Sequence, residues 1–336
     1  MKKTIRISLI VLVIAILGMR VQTNYHLIKP GSAEELGERI QVEGNARAED
    51  GNFFMVTVAQ QQANLWLLLY GIANPLVELR PVSTMIPPDM SLEEYNNLMQ
   101  SLMQESKNLA QIIALRKAGY EVPIISDGVE VIELIPGSPA ENILLPGDII
   151  KSVDGRKVNL AEEVVSIIQE KNIGEQVRLT VQREELLKDF SVLTVPHVEL
   201  PQKAALRIYV RTMNWQPLLP LEIDIDTGPV IGPSAGMMFV LELLDRLVPE
   251  NLTGGNNIAG TGTIALDEKI GGIGGVKQKV AAAEMAGIEY FLVPEENYAE
   301  AADAARKIRL VAVDTLDDAL IFLQNLDDAA EAGWRQ

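Results

Sequence analysis

Strand-like and helix-like segments alternate from residue 206 to residue 323, and this alternation restricts the stretch to a layered α/β or α+β fold. Aliphatic and β-branched runs at 206–210, 221–225, 258–264, 290–293 and 310–313 read as strands. Apolar residues at helical spacing mark 234–247, 276–286, 297–305 and 316–323 as helices between them. A proline-bounded stretch, 196–201, separates this region from a different texture. Before it, short strands begin at Val129 and Val177, Ser138-Pro139-Ala140 makes a turn, and Gly147-Asp148-Ile149-Ile150 leads into an Asp154-Gly155 hairpin turn. Residues 161–171 read as a helix.

Further upstream, Ser91 stands three residues before Glu94, the pattern of a capping box. Leu92, Tyr95, Leu98, Met99, Leu102 and Met103 then recur at helical spacing, and Gly119 ends the pattern. This long amphipathic helix is expected to pack on its own domain. Residues 53–59 read as a strand and 81–88 as a loop. Residues 23–50 are polar, contain Pro30-Gly31-Ser32, and read as a juxtamembrane linker. At the start of the chain, Lys2, Lys3 and Arg6 precede an uncharged run, 7–19, that Arg20 closes. The run falls short of the roughly 20 residues that span a bilayer, but snorkelling arginines extend it. The small-residue pattern of a cleavage site is poor here, so the reading is an uncleaved single-pass anchor. The positive-inside rule then puts everything after Arg20 outside the cytoplasm.

The composition removes several chemistries. Among 336 residues there are two histidines, His26 and His197, and no cysteine. A Ser-His-Asp triad has almost nothing to draw on, and disulfides, thiolate catalysis and cysteine-zinc sites are excluded. A net charge of −17 opposes nucleic-acid binding, which needs clustered Lys and Arg. No metal site or cofactor is expected. Acidic pairs such as Asp317-Asp318 read as solvated faces. Asp226-Thr227-Gly228 lacks the second copy that aspartic-protease chemistry requires. The glycine run 271–275 is not a nucleotide loop, because Lys277 is followed by Gln278.

Two segments carry chemistry. Ser234 follows Gly232-Pro233 at a helix start, where free backbone N–H groups can hold a developing oxyanion. A lysine can be the base for a serine hydroxyl if burial or a helix N-terminus keeps it neutral. Gly274-Gly275-Val276-Lys277-Gln278-Lys279 offers two such lysines, and from the residues alone Lys279 is as good a candidate as Lys277.

Gly232-Pro233-Ser234-Ala235-Gly236, Thr261-Gly262 and Gly274-Gly275-Val276-Lys277 together resemble the proteolytic domain of Lon proteases over roughly 200–326. The resemblance implies Ser234 as nucleophile and Lys277 as general base. It gives Thr261 a supporting hydrogen bond to that lysine, with Gly232 and Pro233 shaping the oxyanion turn. Ile231 and Thr263 stand where ATP-dependent Lon enzymes commonly have acidic residues. No G-x-x-x-x-G-K-[ST] loop is present. The match therefore narrows to membrane-anchored bacterial Lon-like proteases with a PDZ domain in place of the ATPase. Asp127-Gly128-Val129-Glu130-Val131, Ser138-Pro139-Ala140 and Gly147-Asp148-Ile149-Ile150 resemble a PDZ domain. That resemblance implies that an extended peptide pairs with the strand at Gly128, Val129 and Val131, beside the helix 161–171.

The expected fold is thus α+β: an anchor at 1–22, a linker at 23–50, a PDZ domain at 51–198 with a helical insertion near 89–119, a Lon-type α/β proteolytic domain at 199–326, and a tail at 327–336. The expected activity is ATP-independent serine endopeptidase action on peptides or unfolded proteins. Exported peptides and extracytoplasmic segments of membrane proteins are the expected targets, without nucleotide or nucleic acid. The alternative is a PDZ scaffold with an inert Lon-like domain.

Overall fold

A computed structural model describes residues 5, 13, 16–44, 50–87, 90–198 and 200–333, with side chains as far as Leu326. The chain divides into two compact units, Met1–Glu121 with Leu219–Gln336, and Val122–Leu218. The second is an insertion in the first.

The first unit opens with strand β1 (Gln22–Glu35), the short strand β2 (Ile40–Val42), strand β3 (Asn52–Asn64), helix α1 (Leu65–Ala73) and strand β4 (Glu78–Pro81). Helix α2 (Leu92–Lys117) follows. Its capping box forms as the sequence indicates: the Glu94 amide donates to Ser91 Oγ, and the Ser91 amide donates to Glu94. Gly119 adopts φ +90° just past its end, a left-handed conformation that suits glycine.

In the inserted unit come β5 (Gly128–Leu134), β6 (Ile149–Val153), α3 (Ala161–Gln169), β7 (Gln176–Arg183), β8 (Leu186–Leu193) and β9 (Ile208–Met213). They form one antiparallel sheet in the order β8-β7-β6-β5-β9. Val129, Val131, Ile150, Leu179, Val181, Val164 and Ile168 build its core. The alternation seen in the sequence produces this result, because period-two spacing sends every second side chain to the same face.

The chain then returns to the first unit through β10 (Ile223–Ile225), α4 (Gly236–Leu247), β11 (Asn257–Gly260), α5 (Val276–Met285), β13 (Tyr290–Pro294), α6 (Tyr298–Ala304), β14 (Arg309–Val313) and α7 (Leu316–Gly333), with β12 (Thr263–Ile264) between β11 and α5. Its main sheet runs β14-β13-β11-β3-β1-β4. The β3-β11-β13-β14 half is parallel and the β3-β1-β4 half antiparallel. Met237, Phe239, Val240 and Leu244 of α4 pack with Phe53 and Met55 of β3 and with Ala110 and Ile113 of α2. Val276, Val280 and Ala283 of α5 pack with Val56 and Phe291.

Several expectations change. Within the expected linker 23–50, residues 23–44 supply most of β1 and all of β2, and Leu27, Leu36 and Ile40 have no exposed surface; 45–49 lie outside the described residues. The sequence hides β1 because its two buried residues, Leu27 and Ile28, are adjacent and do not alternate with polar ones. Helix α2 belongs to the first unit, so it is no insertion in a PDZ domain. The 196–201 stretch is a turn inside the inserted unit, closed by His197 N donating to Lys203 O and Lys203 N donating to Leu200 O. The strand expected at 206–210 therefore joins the inserted sheet as β9.

The N-terminal anchor is not supported. Among the described residues, no helix is long and apolar enough to cross a membrane. Single-pass membrane localisation with an extracytoplasmic catalytic domain falls with it. Lys2, Lys3, Arg6 and most of 7–19 lie outside the described residues. The expectation of exported substrates rested on that anchor and lapses too.

Candidate active site

Ser234 sits in the turn that enters α4. Gly232 makes this turn possible with φ +92°, and its N–H donates to the carbonyl of Met99 on α2 at 3.0 Å. Thr261 immediately follows β11, at the carboxyl end of a parallel strand, where open sheets commonly place ligands. Its amide donates to Leu292 O. The Ser234 carbonyl accepts from the Gly262 amide and from Thr261 Oγ1, both at 2.9 Å. The residue bearing the hydroxyl is thereby fixed from both sides.

The lysine beside Ser234 is Lys279. Its Nζ lies 2.7 Å from Ser234 Oγ and 2.8 Å from Thr261 Oγ1. Lys277 is not in the site: its half-exposed side chain forms a 3.9 Å ion pair with Asp303. The reason is helical phase. Val276, Val280 and Ala283 define the buried stripe of α5, and Lys279 stands three residues from Val276 and four from Ala283. Lys277 is turned about 100° from Val276, out of that stripe. The apolar stripe of α5 carries the signal for Lys279 in the sequence, whereas the family resemblance implies the position after Gly-Gly-Val.

Lys279 is 3% exposed, and burial pushes its ammonium from 10.5 down to about 7. No carboxylate contributes to that shift. Thr261 orients the amine. Its single hydroxyl proton goes to the Ser234 carbonyl, so a lone pair faces Nζ. A neutral amine can then donate one N–H to Thr261 and turn its lone pair toward Ser234 Oγ.

The oxyanion expectation shifts by two residues, from Gly232 and Pro233 to Ser234 and Ala235. Pro233 has no N–H, and the Gly232 N–H is taken by Met99. Gly236 N donates to Pro233 O and Met237 N to Gly262 O. Among the described residues, the amides of Ser234 and Ala235 have no acceptor, which leaves them as donors for a developing oxyanion. The described residues contain no cluster of His, Cys, Asp or Glu suited to a metal ion.

The peptide groove expected on Gly128, Val129 and Val131 has no free edge. β5 is paired on both sides, with Val129 opposite Ile150 of β6 and Thr212 of β9. Val129 and Val131 are fully buried. The sheet ends instead at β9. Beside it lies a cavity of about 460 Å³, lined by Val164, Val165 and Ile168 of α3, by Ala205, and by Ile208 and Tyr209 of β9.

Comparison with known proteins matches residues 221–324 to the Lon protease (S16) C-terminal proteolytic domain and residues 103–194 to the PDZ domain. The Lon protease of Phenylobacterium zucineum is 26% identical over 313 residues, 90% of this chain and 37% of its own length. The Lon protease of Syntrophomonas wolfei is 40% identical over 106 residues, 30% of this chain and 13% of its own. The chain thus spans well under half the length of these relatives. A crystal structure of the PDZ domain of an SdrC-like protein from Listeria monocytogenes aligns at 21% identity with 25% of this chain and 87% of that one, at a TM-score of 0.23.

Proposed function

We propose, for a chain that carries a Lon-type proteolytic domain and a PDZ domain, that it is an endopeptidase with a Ser234–Lys279 dyad and needs no ATP. The observation that carries this reading is the buried Lys279 amine, 2.7 Å from Ser234 Oγ and held near neutrality by desolvation. A lysine with that environment is about half neutral at pH 7 and can act as a base. Neutral Lys279 takes the Ser234 proton as Oγ attacks the peptide carbonyl. The oxyanion forms against the Ser234 and Ala235 amides. The protonated amine returns the proton to the leaving nitrogen, and water, deprotonated by the same amine, releases the acyl group. Thr261 keeps the amine aimed at Ser234 throughout. An inert domain has no need of such a buried pair, which disfavours a scaffold without catalysis.

Independence from ATP is part of this proposal and is supported by these 336 residues, which contain no phosphate-cradling G-x-x-x-x-G-K-[ST] loop. Without an unfolding motor, the substrates are extended peptides or unfolded proteins. The inserted unit is proposed to receive such a segment as an added strand on β9, with side chains in the α3 cavity. The test is hydrolysis of an unfolded protein by the purified chain without ATP, alongside Ser234→Ala and Lys279→Ala. Retained turnover in either variant overturns the dyad, and strict dependence on ATP overturns motor-free action.

A further inference from the structure

We propose that Ser106, in the middle of α2, is a positioning residue that aims the Ser234 amide into the oxyanion site; the inference rests on the Ser234–Lys279 reading. Ser106 is 3% exposed, and its Oγ donates to the Pro233 carbonyl at 3.2 Å. Pro233 O and Ser234 N–H belong to one planar trans peptide and point in opposite directions. Drawing the carbonyl inward onto α2 therefore turns the amide outward, on the side where it has no acceptor.

Two further contacts make this a built arrangement. Met99 lies seven residues before Ser106, two helical turns away on the same face, and its carbonyl takes the Gly232 N–H. One stripe of α2 thus holds the peptide that precedes Gly232 and the peptide that follows Pro233. The fit is close at Gly236 as well: a Cβ there would come within 2.6 Å of Ser106 Oγ. Glycine at 236 lets the helix approach near enough for the hydroxyl to reach Pro233. The Gly236 amide also donates to Pro233 O, so loss of Ser106 leaves the carbonyl satisfied but less tightly directed. The carbonyl of Ser234 and the Lys279 amine are held by other groups, Gly262 and Thr261. Ser106 therefore acts on the amide direction and not on the base.

The experiment compares wild type, Ser106→Ala, Ser106→Thr and Ser234→Ala of the full chain on a short fluorogenic peptide, and measures inhibition by a dipeptidyl boronic acid. Boron adds to Ser234 Oγ and places an oxygen where the oxyanion forms. Ser106→Ala is expected to lower kcat about 10-fold with KM nearly unchanged. The boronate inhibition constant should rise in step with the loss of kcat/KM. The pH midpoint should stay where it is in wild type, and Ser106→Thr should recover most of the rate. A kcat within twofold of wild type overturns the proposal, as does a shifted pH midpoint, an unchanged boronate constant, or failure of threonine to rescue a variant whose Tm matches wild type. If Ser234→Ala or wild-type results contradict the serine mechanism itself, both readings fall; if Ser234→Ala is inactive and Ser106→Ala is not impaired, this one alone falls.

Discussion

The Ser234 site and the β9 edge, the two places where the proposed function puts the substrate, are built in different ways. At Ser234 a few named groups are locked by one another: the Lys279 amine by the Ser234 and Thr261 hydroxyls, the Thr261 hydroxyl by the Ser234 carbonyl, the Gly232 amide by the Met99 carbonyl. At β9 the groups proposed to meet a peptide belong to the backbone of a terminal strand, and the side chains of α3 supply an apolar wall. The first arrangement depends on residue identity at single positions. The second depends on which strand the sheet leaves unpaired, and it tolerates many substitutions that keep the strand.

That contrast sets the expected sizes of effect. Ser234→Ala and Lys279→Ala should each reduce kcat/KM at least about 10³-fold, and the double variant should be little worse, because the pair performs one proton transfer. Lys277→Ala should stay within about twofold of wild type. A steady-state assay of the four variants checks this, and loss of turnover in Lys277→Ala with survival of Lys279→Ala would reverse the assignment.

The pH profile separates the two regions next. Because burial lowers Lys279 to about 7, kcat/KM for a short peptide should fall about tenfold per pH unit below 7 and level off above it. Binding at β9 involves no group with such a shift. Fluorescence titration of a labelled peptide onto Ser234→Ala should therefore lack the tenfold fall per pH unit below 7 that marks the Lys279 step. A parallel pH dependence of binding would break the distinction.

A smaller effect is expected from the groove. Val165 is 42% exposed beside the cavity. Val165→Glu should weaken peptide binding about tenfold by placing a charge on an apolar wall, with kcat on a short peptide unchanged. Isothermal titration and the short-peptide assay read the two quantities separately. Loss of both would tie the groove to the catalytic centre.

The smallest effect concerns stability. Lys279 has a folded value near 7 and an unfolded value near 10.5. Between those values the unfolded chain binds more protons, so stability should rise with pH from 7 to 10.5; below 7 the cost of burying the charge is present in full. Lys279→Met should abolish this slope and raise Tm at pH 7 by about 2 °C or more, while removing activity. Calorimetry from pH 6 to 9 tests it, and a lower Tm in Lys279→Met would mean that the amine stabilises the fold.

The legibility of the sequence follows the same divide. Ser234 was readable because Gly-Pro-Ser before a helix is a local arrangement. The choice between Lys277 and Lys279 was readable only in part: it required the phase of α5 relative to Val276, Val280 and Ala283, which a motif spacing does not convey. The capping box of α2 was plain, but its partner was not, since nothing near Ser106 indicates contact with Pro233, 127 residues away. β1 and β2 read as a linker because β1 buries only the adjacent Leu27 and Ile28 among polar residues and β2 is three residues long. β9 was assigned to the wrong unit because prolines at 196 and 201 mark a turn equally well within a domain or between domains.

By itself the sequence determined the elements and the reagents: alternating strands and helices, the absence of cysteine chemistry, a serine at a helix start and two candidate lysines. These are set by residue type and by neighbours within a few positions. Only the tertiary structure decided that an inserted unit interrupts the sheet-bearing one, that β9 and not β5 ends the inserted sheet, and that Lys279 meets Ser234. Those outcomes depend on strand pairing and helix phase between segments far apart in the chain. Burial that makes a lysine a base is a property of that packing, and no single residue carries it.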